Sequence, residues 1–143
     1  MLKYKKGNQL IVSAIPLQGL TLVTLADEDV KYFVGFDAIG KPIIDRNKFA
    51  ETEKAKRVNE INVEFERQCN KVGVDFEGNK FQYDDTSRSR LAETKDDIRV
   101  RFWRSVDNVN VDMSNEKKNL LYKVLIETYY TKFYEKTQVI DGL

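Results

Sequence analysis

Gly78-Asn79-Lys80-Phe81-Gln82-Tyr83-Asp84-Asp85-Thr86-Ser87-Arg88-Ser89-Arg90 is the stretch that sets the fold of this chain. Gly78-Asn79 is a two-residue turn pair with the backbone freedom a tight hairpin needs. Val74 and Phe76 alternate before it, and Phe81 and Tyr83 after it, so the run reads as two short antiparallel strands. Asp84 or Asp85 then caps a helix, with Thr86 and Ser87 as alternatives. Leu91 and Ile98 are the apolar positions of that helix. Next, Phe102-Trp103 and Val106 to Val111 form a second hairpin centred on Asp107-Asn108. Ser114 caps a last, long helix, and Glu116 in its first turn complements the dipole. Residues 73–143 are thus expected to form one small α+β module.

The last helix carries two adjacent stripes at four-residue spacing. One is Leu121, Leu125, Tyr129 and Phe133; the other is Tyr122, Ile126, Tyr130 and Tyr134. A face this wide packs on more than one surface. The second stripe is therefore the expected docking surface, because tyrosine suits a face that is soluble alone and buried in a complex; the competing expectation is that residues 1–45 fold back and cover it.

Before this module, residues 46–72 read as one connecting amphipathic helix. Val58, Ile61, Phe65 and Val72 form a narrow apolar seam, with Gln68 at the missing position and charged residues on the other faces. Val58, Ile61 and Phe65 are the second expected docking surface, a seam to be covered either by the same chain or by another copy. Gly73 ends the helix. Residues 1–45 read as a β-rich module. Strands at 9–15 and 20–25 are expected to pair across Pro16-Leu17-Gln18-Gly19. Apolar residues on both faces of the second suit a strand covered on both sides. Val30–Phe36 and Lys41–Asp45 read as a hairpin turned at Ala38-Ile39-Gly40, with Pro42 confined to an edge.

Composition narrows the chemistry. The 143 residues carry 24 basic and 23 acidic side chains for a net charge of +1, so no field gathers a phosphate backbone and nucleic acid is not an expected partner. There is no histidine, which removes the commonest general base and metal ligand together. The single Cys69 cannot form an internal disulfide and reads as a small buried apolar residue. Leu10–Ala26 follows Lys3, Lys5 and Lys6 as a leader would. Ser13, Pro16, Gln18 and Gly19 interrupt it, so strands are the better reading and no membrane span is expected.

Four local patterns resolve to ordinary structure. Gly35–Lys41 has phosphate-loop spacing, but Pro42 stands where a Ser or Thr must ligate Mg²⁺, so a hairpin turn is expected. Asn108–Asp112 has alternate oxygens like a calcium loop, yet lacks the central Gly and closing Glu. Asp84-Asp85 and Asp96-Asp97 are adjacent pairs whose side chains diverge on a helix, so caps are expected rather than a catalytic pair. Arg99, Arg101 and Arg104 surround Trp103 and suit a cation–aromatic contact within the fold. No catalytic residue, metal or cofactor is expected.

From about Ala55 to Leu143 the order of elements resembles a family found at the C-termini of bacteriophage tail proteins. The carriers are Gly78, Phe81, Asp84, Ser87, Arg88, Arg90, Trp103, Asp107 and Asn108, and Trp103-Arg-Ser-Val-Asp-Asn108 is the most specific run. The final helix departs from the family pattern, with Tyr and Lys where many members carry Ala and Gln. The N-terminal layout is similar to that of tail-fibre assembly chaperones, which have a β-rich start, a hairpin like Phe33–Asp37 and a charged helix. The resemblance implies a structural component of a phage tail at a baseplate, fibre or fibre attachment. It would reside in the virion, and in the host cytoplasm during assembly, with other tail proteins and further copies of itself as partners. The alternative it implies is a tail-fibre chaperone absent from the finished particle. It implies no enzyme activity.

Overall fold

The computed structural model describes residues 1–143. The protein is α+β: three helices accompany short antiparallel strands. The chain divides into two compact units, Met1–Lys56 and Arg57–Leu143, and the division falls inside the long helix that sequence marked as a separate connecting segment over 46–72. That helix, α1, spans Arg46–Arg67 and is N-capped by Asp45, whose carboxylate accepts the Lys48 N–H at 2.9 Å. Its first turns therefore belong to the N-terminal unit and its last to the C-terminal one.

In the N-terminal unit, β1 (Leu2–Lys6) and β2 (Gln9–Ser13) form a hairpin across Gly7-Asn8. The positive φ of Gly7, +59°, suits this turn. β3 (Thr21–Leu22) pairs with β1, through Tyr4↔Leu22, and not with β2. This corrects the expected pairing of 9–15 with 20–25 across Pro16–Gly19. The missing partner was β1, whose three lysines disguise it. Its pleat sends Lys3 and Tyr4 to opposite faces, and both are buried. Tyr4 accepts the Leu17 N–H on its hydroxyl, and the Lys3 ammonium pairs with Asp27, whose carboxyl its hydrogen bond and charge hold below the usual value. The second strand of the expected pair is also shorter and barer than expected: β3 is two residues long, and Leu22 is exposed.

The expected hairpin at 30–45 forms, as β4 (Phe33–Phe36) and β5 (Pro42–Ile44). Residues 27–32 instead wind into a 3₁₀ turn, so the first strand begins later than the apolar run suggested. Asp37 builds the turn, accepting the N–H groups of Ile39 and Lys41 at 3.0 and 2.8 Å on one oxygen.

In the C-terminal unit α1 passes into a π-helical turn over Gln68–Val72. Gly73 closes it, donating its N–H to the Gln68 carbonyl. Its conformation (φ +72°, ψ −174°) is not the left-handed helical cap expected. A Cβ here would stand 2.6 Å from the Phe81 carbonyl oxygen and 2.8 Å from a Val106 methyl, so glycine is required twice over. β6 (Val74–Phe76) and β7 (Asn79–Phe81) follow, with Phe76 opposite Asn79. The turn residues are therefore Glu77 (φ +50°) and Gly78 (φ +87°), one place earlier than Gly78-Asn79 suggested. A two-residue turn of this hand needs positive φ at both positions, and Glu77 accepts the strain.

α2 (Asp85–Thr94) is capped by Asp84, which accepts the Ser87 N–H at 3.1 Å. It ends before Ile98, which is 77% exposed and no core residue. β8 (Phe102–Arg104) and β9 (Asn110–Asp112) enclose the Asp107-Asn108 turn, where Asn108 takes φ +62°. α3 (Asn115–Asp141) is capped by Ser114 as expected. Cys69, Phe81, Tyr83, Leu91, Met113, Leu121 and Leu125 form the buried core of this unit.

Candidate docking surface on the last helix

The two stripes of α3 separate by environment. Leu121 and Leu125 are fully buried, and Tyr129 packs against the same core. The Phe65 ring of α1 meets Tyr129 at 5.6 Å and Phe133 at 6.2 Å, both edge-on. Lys136 covers the outer side, its ammonium 4.4 Å from the Phe65 centroid and 4.8 Å from that of Phe133. On the α2 side, the Arg88 guanidinium stacks over Tyr129 at 3.4 Å while its Nε donates to the Tyr83 carbonyl.

These contacts place the expected docking residues. Phe65 is engaged by α3 of its own chain, and Val58 and Ile61 are half-buried. In the other set, Tyr122 packs against the core beneath the Lys95 ammonium, and Ile126 is half-buried. Tyr130 and Tyr134 stand out at 59% and 64% exposed, beside Phe133 at 41%. An exposed aromatic strip of this kind is concentrated toward the C-terminal end of α3. Beside the other end, Leu120, Tyr122 and Ile126 floor a groove of about 570 Å³ rimmed by Lys95, Glu116, Lys123 and Glu127.

The polar residue that sequence reading missed is Lys118. It is fully buried, and its ammonium donates to the carbonyls of Thr94 (2.9 Å) and Asp97 (2.6 Å), closing the C-terminal end of α2. A cation there also meets the negative end of the helix dipole. Asn119 and Asn115 add to the closure, donating to the Lys95 and Asp96 carbonyls respectively. The four-residue spacing of Lys118 before Tyr122 places it beside the core face, a signal that its charge obscures.

The carboxylates take supporting roles. Asp84 is a cap. Asp96 accepts from Asn119 and Lys95, which hold its carboxyl below the usual value. Asp97 accepts from Arg99 and is pushed down to about 2. Such groups stay ionised, whereas a general acid needs a raised pKa. Arg88 over Tyr129 and Arg46 over Tyr32 make the guanidinium–ring contacts, rather than Arg99, Arg101 or Arg104 over Trp103. Trp103 is half-buried against the core. Burial pushes the Cys69 thiol up to about 11.

No protein family, curated protein or solved structure matches this chain. No helix is long and apolar enough to cross a membrane.

Proposed function

We propose that this protein is a structural component of a bacteriophage tail, at a baseplate, fibre or fibre attachment, and that it works by docking to other tail proteins. The observation that carries the reading is the strip of Tyr130, Phe133 and Tyr134 left exposed on a helix that buries Lys118, Leu121 and Leu125 nearer its start. Exposed aromatics of this density are characteristic of a contact surface. The residues behind the phage-tail resemblance support it at the level of the fold. Gly78 supplies a turn, Phe81 is fully buried, Asp84 caps α2, Arg88 stacks on Tyr129 and Asn108 turns the second hairpin. Each is a position where that order of elements needs that residue type.

A second reading, a tail-fibre chaperone, draws on the N-terminal unit. Only Lys3 and Tyr4 are buried there, while Val12, Leu22, Val34, Ile43 and Ile44 on its strands are exposed. Exposed apolar strands suit transient cover of another protein's strands. Mass spectrometry of purified particles distinguishes the readings. Fixed stoichiometry in the virion supports the component. Absence from particles whose fibres fail to form without the gene supports the chaperone. Absence together with normal particles on deletion overturns both.

A further inference from the structure

The outer face of α3 has a pattern that neither stripe describes. Glu116, Leu120, Lys123, Glu127, Tyr130 and Tyr134 follow one another at spacings of four, three, four, three and four, the repeat of a helix–helix seam. All six are exposed. Lys123 and Glu127 enter none of the ion pairs within the chain. Their order, Lys before Glu, is also the weaker one for a pair along a single helix.

The pattern is self-complementary when reversed. Two copies of α3 laid antiparallel about a two-fold axis level with Leu125 bring Lys123 opposite Glu127 of the second copy, and Glu127 opposite its Lys123. The same operation sets Leu120 opposite Tyr130 and Glu116 opposite Tyr134. The second copy's Tyr130 then lies on the side of the seam occupied by the 570 Å³ groove floored by Leu120, Tyr122 and Ile126. In that register the second copy's Tyr134 hydroxyl would be placed to donate to the Glu116 carboxylate. An isologous interface meets the Lys123–Glu127 pairing twice, once on each side of the two-fold axis, so one pair of opposite charges on the chain gives two across the dimer.

We infer that α3 is a homodimerisation helix, and that the occupant of its groove and outer face is a second copy of this chain in antiparallel register. It rests on the docking reading of Tyr130 and Tyr134 and names a second copy of this chain as the partner of that face, while its readout, self-association of the purified protein, is separate from presence in particles.

Sedimentation equilibrium of the full chain across about 1–200 µM tests it. A monomer–dimer equilibrium is expected. Lys123→Glu and Glu127→Lys should each weaken dimerisation by about tenfold or more, because each substitution creates two like-charge contacts per dimer. The double variant K123E/E127K restores both pairs and should return to within about threefold of the original. Both side chains are exposed and unpaired, so circular dichroism should show all three variants folded. Chain that stays monomeric throughout overturns the inference. So do single variants that dimerise normally, or a double variant as weak as the singles.

Discussion

Replacing Lys118 by Met tests whether a buried cation really closes α2. Methionine keeps the unbranched apolar stem and fills nearly the same space, so packing changes little. What is lost is the ammonium and its two hydrogen bonds, at 2.9 and 2.6 Å, to the carbonyls of Thr94 and Asp97. A hydrogen bond from a charged group contributes about 1.5–3 kcal/mol net. The carbonyls sit on half-buried residues where water can partly replace the lost donor, so the lower value applies to each. The expected destabilisation is about 3 kcal/mol. In a unit of this size that corresponds to a fall in melting temperature of roughly 12–24 °C. Urea denaturation followed by Trp103 fluorescence reads the change, and an unchanged slope with denaturant would show that the unfolded state is not the cause. A loss below about 0.5 kcal/mol would refute the reasoning, because the ammonium would then contribute no more than an exposed pair does.

Three further outcomes follow from the same geometry. Gly73→Ala should destabilise the C-terminal unit by about 3 kcal/mol or more through strain and overlap with backbone, whereas Gly78→Ala, with φ +87° but open space around it, should cost only about 1 kcal/mol; urea midpoints compare them. Cys69 is 3% exposed with its thiol pushed up to about 11, so a thiol reagent at pH 8 should label native protein far more slowly than protein in urea, and equal rates would contradict the burial. Asp97 is held near 2, below its ordinary value of 3.8, so the unfolded chain protonates first; its contribution is complete above about pH 4 and fades as pH falls toward 2, and Asp97→Asn should flatten that part of an acid-denaturation curve.

Local chemistry was the readable part of this sequence. The caps Asp84 and Ser114 follow from side-chain oxygens placed before helical runs, and the second hairpin from the turn preference of Asp107-Asn108. The Leu121 and Leu125 stripe marked the buried face from four-residue spacing alone. Failures arose where a non-local partner decides. β1 alternates Lys with Leu and Tyr, and only its two neighbouring strands and Asp27 make a buried lysine acceptable. Ile98 looked apolar enough for a core, yet α2 stops at Thr94 because donors from α3 close it there. Phe65 lay on a seam whose cover could have been another chain, and the aromatic end of the buried α3 stripe meets it. In the docking stripe, equal spacing concealed unequal exposure: Tyr122 packs against the core beneath Lys95 and Ile126 is half-buried, while Tyr130 and Tyr134 are exposed.

The N-terminal unit has two buried side chains for its 56 residues, and one of those is a lysine. Small units with little core have opening free energies near the low end of the range for folded proteins. Local opening is therefore expected to cost little here, and the two-residue β3, paired with β1 only at Tyr4 and Lys5, is expected to leave first. Such an opening would uncover the few backbone groups of β1 around Tyr4 and Lys5 that face β3. The edge available to another strand is thus set by temperature and by the concentration of whatever captures it, so a binder would both select the open form and appear to loosen the unit.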